Sequence, residues 1–121
     1  MAQELKRLEW IGSARTDLKT FPDQIQRGIG YALFEAQRGR KSLSTKPLHG
    51  FGGAGVLEII EDFQTNTYRA VYTVKFERRI YVLHSFQKKS KRGIATPKAE
   101  IDLIKRRLKL AEQHYERLIR G

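Results

Sequence analysis

The chain has 121 residues, with 24 Lys or Arg against 13 Asp or Glu and a formal net charge of +11 when His is neutral. A hydrophobic share of 40% with 31% charged residues excludes a disordered chain, and the absence of cysteine excludes a disulfide scaffold, a thiolate metal site and a cysteine nucleophile. No apolar run approaches the roughly 20 residues that cross a bilayer, and the opening MAQELKRLEWIG lacks the apolar segment of a secretory signal. The expectation is one domain over residues 1–121, no membrane association and a cytoplasmic location.

In chain order, residues 5–11 (LKRLEWI) predict a first strand, and Ser13 opens a short helical turn through Lys19. A second helix is predicted from Pro22 to Arg38. Thr20 offers a capping oxygen, and proline is tolerated in a first turn because its missing N–H would be unpaired there. Ile25, Ile29, Ala32, Leu33 and Ala36 fall on one face at helical spacing. Gly28 and Gly30 weaken that helix by up to about 1 kcal/mol each relative to Ala and allow another element to approach closely. Gly39 supplies a C-cap, and residues 39–55 read as a loop containing Pro47 and HGFGGAG.

Three runs rich in Val, Ile, Tyr and Phe follow: Val56–Phe63, Thr67–Phe76 and Arg79–Phe86. The gaps between them are two or three residues, too short for a parallel crossover, so the runs form an antiparallel meander. A basic loop, Gln87–Ala95, leads to Thr96 and Pro97 as N-cap and first residue of a last helix of about 22 residues. Its apolar stripe is Ile101, Ile104, Leu108, Ala111, Tyr115 and Leu118, and its outward face carries Lys105, Arg106, Arg107 and Lys109. The resulting class is α+β, a small antiparallel sheet flanked by helices in the order β-α-α-β-β-β-α.

The excess charge sits in two segments. Residues 38–49 hold four cations and no acid, and residues 86–121 hold eleven cations against four acids; elsewhere nine cations balance nine acids. Two basic segments around a neutral middle point to a phosphate-binding surface more than to a general solubility device. Lys46 and His49 in the first segment are candidate substrate contacts. Membrane binding is disfavoured because the basic last helix has no Trp or Phe on its apolar face.

Alternation in the middle strand sends Tyr68, Ala70, Tyr72, Val74 and Phe76 one way, and Arg69, Val71, Thr73 and Lys75 the other. An arginine there must find a partner, Glu58 or Glu61, or open onto a ligand. A two-residue turn at Glu77–Arg78 would set Arg69 opposite Phe86 and Val71 opposite His84. Arg69, Lys75 and His84 then share one face beside Phe86, with Lys88 and Lys89 continuing from the strand end. The register is exposed to error, since a slip of one residue reverses the sides and the turn lacks an Asn-Gly or Gly signal.

Two or three cations, a histidine and an aromatic on one face suit phosphodiester chemistry. RNA carries its own nucleophile, the 2′-hydroxyl. Arg and Lys stabilise the phosphorane-like transition state with pre-placed charge, and His serves as acid or base. No metal or other cofactor is expected, because Glu58, Glu61 and Asp62 read as a solvated or salt-bridged cluster and the three His residues lack ligand spacing. GFGGAG precedes a strand, unlike a dinucleotide-binding loop, and reads as a flexible loop. Trp10 reads as core, Phe51 as a possible base-stacking ring, His114 as a surface residue and Tyr115 as core.

The runs KPLHGFGGAGVLEI, TYRAVYTVKF and IYVLHSFQKKSKRGIATPKAEIDLIKRRL together resemble the phage-related, HigB-like branch of the RelE superfamily, toxins of type II toxin–antitoxin modules. VLHSFQKKS…TPKAEI is the most specific part, and the resemblance covers about residues 14–116. It implies an mRNA interferase, a metal-independent endoribonuclease acting on messenger RNA at the translating ribosome. It also implies Arg69 as the phosphate-stabilising arginine, His84 in proton transfer, Lys88 and Lys89 at the scissile phosphate, and Lys75 and Arg92 as supporting contacts, with Phe86 beside the substrate. The partner implied is a cognate helix-turn-helix antitoxin, whose complex with the toxin binds operator DNA. The chain departs from RelE proper, which has a further arginine late in the sheet and a catalytic tyrosine near the C-terminus; here those places hold the lysine pair and Tyr115. A non-catalytic RNA- or DNA-binding phage-related protein, and a basic subunit that complements an acidic protein, remain the alternatives.

Overall fold

The computed structural model describes residues 4–88 and 95–121. In chain order the elements are β1 (Arg7–Trp10), α1 (Ala14–Leu18), α2 (Asp23–Gln37), β2 (Thr45–Pro47), β3 (Val56–Phe63), β4 (Asn66–Thr73), β5 (Arg79–Lys88) and α3 (Lys98–Arg120). They build an α+β domain around one five-stranded sheet, in the order β1-β5-β4-β3-β2. The meander β3-β4-β5 is antiparallel, as the short gaps require. The sheet is wider than three strands because β1 joins β5 in parallel and β2 joins β3 antiparallel. β2 lies within the segment read as a loop: three residues including a proline carry no alternating pattern, and proline is tolerated there because β2 is an edge strand.

One sheet face packs on α1 and α2. Ile25, Ile29, Ala32, Leu33 and Ala36 of α2 are all buried there against Ile59, Tyr68, Ala70, Tyr72, Ile80 and Val82. Trp10 packs against this core, as expected for it. The other face packs on α3 through Val71, Tyr81, Leu83 and Phe86 against Ile104 and Ala111. The apolar stripe of α3 is fully buried only at those two positions; Leu118 near its end is exposed.

The register holds where it matters. Arg69 pairs with Phe86 and Val71 with His84, but the next pair is Tyr72 with Val82, so Leu83 is an extra residue in β5. This bulge turns both Leu83 and His84 toward α3, where strict alternation would send one of them to the α2 side. β4 ends at Thr73, and the connection to β5 is longer than the two-residue turn expected at Glu77–Arg78. Phe76 therefore leaves the strand pattern and packs on the α3 side with Tyr81 and Tyr115. Gly55 (φ +60°) lets the loop before β3 fold onto that connection: its carbonyl accepts from the Val74 N–H, and a Cβ there would sit 3.3 Å from the Lys75 backbone nitrogen.

Candidate active site

The α3-facing side of the sheet carries the candidate residues in rows set by the register. Lys46 of β2 pairs with Glu58 of β3, Glu58 with Val71 of β4, and Val71 with His84 of β5. One row over, Arg69 pairs with Phe86, and beyond it Thr67 pairs with Lys88. With strands about 4.8 Å apart, Glu58 and His84 are separated by roughly 10 Å.

A cleft of about 190 Å³ opens between β2, β3 and the lead-in to α3, lined by Lys46, His49, Glu58, Ala95, Thr96 and Ile101 among others. Lys46 and His49 are exposed at its rim. Lys88 lies beside this opening, its Nζ donating at 2.8 Å to the carbonyl of Ala95, one of the lining residues. Its ammonium is held below the ordinary lysine value, first by desolvation and then by the nearby Arg69 charge, with Lys46 adding to the same effect.

The floor of the cleft is an ion pair. Arg69 Nη1 donates to both Glu58 carboxylate oxygens at 3.3 Å and to Thr96 Oγ1 at 3.2 Å, while Thr96 Oγ1 donates to Glu58 Oε2 at 2.8 Å. Arg69 is 3% exposed and Glu58 1%. Of the two outcomes the strand pattern left open for this arginine, the structure shows the paired one, with Glu58 as the partner that burial demands, so Arg69 is not open to the direct phosphate contact that the resemblance implies. Thr96, expected as an N-cap, instead ties the segment before α3 to the sheet, and Pro97 takes the cap position with helical bonds starting behind it.

His84 stands apart from the cleft in a second network. Its Nε2–H donates to Glu100 Oε2 at 3.1 Å, and its Nδ1 lies 3.4 Å from Arg107 Nη1, which also donates to the Leu83 carbonyl at 3.0 Å. Arg107 Nη2 donates to Ser13 Oγ at 3.0 Å. Arginine only donates and a carboxylate only accepts, so the imidazole is neutral with its proton on Nε2. Burial pushes its pKa below the ordinary 6.5, against the opposing pull of Glu100. The ring is 6% exposed and stacks on Phe86, itself buried, with centroids 4.9 Å apart. Phe86 is therefore a core residue rather than a substrate contact, and His84 has both ring nitrogens engaged within the protein.

Other expectations are corrected by the same packing. Lys75 lies beyond the far end of β4, where it forms a salt bridge with Glu112 of α3, away from the cleft. Arg107 turns inward instead of lining the solvated face. His114 is half-buried, and its Nδ1 shares a hydrogen bond of 2.7 Å with the Tyr81 hydroxyl. Phe51 packs into the α3-side core beneath the Lys105 ammonium. Lys89 and Arg92 lie outside the described residues. No group of three or more His, Asp or Glu among the described residues is arranged to hold a metal ion, and no described helix is long and apolar enough to cross a membrane.

Glu58 and Thr96 are the cleft residues that sequence reasoning left without a role in the site. Their signal was the strand placement of Glu58 beside Arg69, but the pairing with Lys46 depends on β2.

Residues 16–109 match the family described as phage derived protein Gp49-like. Among solved structures, the toxin–antitoxin complex RelBE2 of Mycobacterium tuberculosis contains a chain 21% identical over 74% of this chain and 98% of that one, with a TM-score of 0.47. No curated protein sequence matches.

Proposed function

The chain belongs to the phage-derived Gp49-like family, and on that premise, together with the resemblance of its motifs to RelE-type toxins, we propose that it is the toxin of a type II toxin–antitoxin module. In this reading it is a metal-independent endoribonuclease that cleaves messenger RNA on the translating ribosome. A helix-turn-helix antitoxin neutralises it, and the pair binds operator DNA. The observation that carries the reading is the grouping of Lys46 and His49 on one cleft with the Arg69-paired Glu58 in its lining, and of Lys88 beside it through Ala95.

In cleavage, the 2′-oxygen attacks the adjacent phosphorus and loses its proton to a base, the P–O5′ bond breaks, and the 5′-oxygen takes up a proton. The products are a 2′,3′-cyclic phosphate and a 5′-hydroxyl end. Lys46 and Lys88 hold the non-bridging oxygens, and their charge is in place before it develops on the phosphate. His49, exposed at the rim, is the imidazole with access to a bound RNA and takes the proton-transfer role first assigned to His84. Arg69 contributes its field from beneath while fixing Glu58 and Thr96. Lys89 and Arg92 belong to this reading as further phosphate contacts.

The test is induction of the chain followed by mapping of transcript 5′ ends. Growth arrest with discrete new 5′-hydroxyl ends is expected. Lys46→Ala and Lys88→Ala each reduce cleavage by about 10²-fold or more, and His49→Ala by about 10² to 10⁴. These side chains are outside the core, so the variants stay folded. Arg69→Ala is a poor probe, because leaving the Glu58 carboxylate buried and unpaired costs about 3–5 kcal/mol and loss of activity would report unfolding. Cleavage that survives all three changes would falsify the site.

The burial of Arg69 and the full engagement of His84 favour one second reading, a module that holds RNA through phosphates without cutting it. RNA binding with no new 5′ ends after induction would establish that reading.

A further inference from the structure

The two faces of the sheet are closed by different chemistry. On one, α2 buries Ile25, Ile29, Ala32, Leu33 and Ala36. On the other, α3 fully buries only Ile104 and Ala111 of its 23 residues. Beneath the start of α3 lie three titratable side chains, Glu58, Arg69 and His84, exposed by 1%, 3% and 6%. Charged side chains are closed off to that degree only when paired, and here part of the pairing comes from α3 and its lead-in. Thr96 Oγ1 donates to Glu58 at 2.8 Å and accepts from Arg69 at 3.2 Å, while Glu100 Oε2 accepts from His84 at 3.1 Å. Thr96 and Glu100 are themselves only half-buried. Further along, Arg107 bonds the Leu83 carbonyl and Ser13, His114 bonds the Tyr81 hydroxyl, and the Tyr115 and Phe76 rings lie 4.8 Å apart. Residues 116–121 are exposed.

The helix is thus anchored at its middle and latched at its start. Parting its first turns from the sheet exchanges hydrogen bonds within the protein for bonds to water, at a small net cost. Parting α2 would instead expose apolar surface. The same first turns form a wall of the cleft, since Ala95, Thr96 and Ile101 line it together with Lys46 and His49. At about 190 Å³ the cleft is below the roughly 300 Å³ at which pockets begin to enclose a ligand.

We propose that the start of α3 is a gate: this structure is its closed form, and a single RNA strand entering the cleft lifts residues 95–101 off Glu58, Arg69 and His84. The occupant rests on the function proposed above, in which the ammonium groups of Lys46 and Lys88 select a polyanion. Opening uncovers the Arg69 guanidinium and the His84 imidazole, adding a cation and an acid–base group to the side chains that meet the strand. Because the latch opposes entry, apparent affinity is the intrinsic affinity scaled by the open fraction. Weakening the latch therefore tightens RNA binding, whereas loss of a contact that merely stabilises the site weakens it.

The experiment uses the full chain and a single-stranded 2′-O-methyl RNA oligonucleotide, which lacks the free 2′-hydroxyl and is not cut. The chain has no cysteine, so spin labels attach only at introduced ones. Lys98→Cys on α3 and Arg27→Cys on α2, both exposed, report the distance across the sheet by pulsed electron paramagnetic resonance. Saturating oligonucleotide lengthens it, while the distance from Leu110→Cys to Arg27→Cys stays fixed. Thr96→Val, which removes both latch bonds and keeps the shape, and Glu100→Ala each tighten oligonucleotide binding by about fivefold. Thr96→Ser, which restores the hydroxyl, binds as the wild type does. An unchanged Lys98→Cys to Arg27→Cys distance on a chain saturated with oligonucleotide overturns the gate, and so does unchanged or weaker binding by both latch variants. The label distance decides even where a latch variant does not fold. Lengthening in a chain that leaves unmodified RNA uncut keeps the gate and removes the ribonuclease, and a chain that binds no oligonucleotide removes both.

Discussion

At the scale of the residue, chemistry in this protein is governed by what burial permits. Arg69 and Glu58 satisfy each other in the sheet, so in the function proposed above the charge offered to a ligand comes from Lys46 at the cleft and Lys88 beside it. His84 is buried in its neutral form, and that gives a prediction with a definite sign. Its folded pKa is depressed below 6.5, so the folded state binds fewer protons than the unfolded state between the two values. The stabilisation from neutral His84 is complete above about pH 6.5 and is lost as pH falls through the folded value. Thermal unfolding of the wild type between pH 8 and pH 5 should show Tm falling on the acid side. His84→Gln, which cannot charge, should flatten that fall; an unchanged slope would assign it to other groups.

Elements are shaped here by what packs on each face. α2 buries one stripe and tolerates two glycines on its other sides, and the glycines differ in surroundings. A Cβ at Gly28 would lie 3.0 Å from the Glu61 carboxylate, whereas one at Gly30 meets nothing within 4 Å. Gly30→Ala should therefore gain about 0.5–1 kcal/mol from helix propensity and reduced unfolded-state entropy. Gly28→Ala should gain less, since Glu61 has to move. Urea midpoints of the two variants, at unchanged m-value, check the order. The expectation that these glycines allow close approach holds at Gly28 and fails at Gly30, because spacing along a helix does not say which side the sheet occupies.

For the molecule as a whole, the net charge of +11 makes any RNA affinity depend on salt. Each phosphate neutralised on a single strand contributes about −0.7 to the slope of log affinity against log salt. Removing one contact with Lys88→Ala should make the slope shallower by about that amount, measured by filter binding over a salt series. Arg78→Ala, an exposed cation in the connection between β4 and β5, should leave it unchanged. A slope indifferent to Lys88 would place the binding surface elsewhere on the molecule.

Much of this was determined by local pattern alone. Periodicity found α2 and α3, the run lengths and short gaps required the antiparallel meander, and the charge count located the two basic segments. Counting across a two-residue turn gave the pairing of Arg69 with Phe86 and of Val71 with His84, although the connection is longer than that turn and the bulge at Leu83 offsets the difference. What packing decided was access. β2 is three residues long and carries no pattern of its own, so the row from Lys46 through Glu58 to His84 forms only once β3 offers it an edge. The bulge at Leu83, the sealing of Arg69 by Glu58 and Thr96, and the capture of His84 between Glu100 and Arg107 all join residues far apart in sequence. A side chain's type and strand position tell which face it meets; whether that face is open to a ligand depends on which distant segment comes to rest on it.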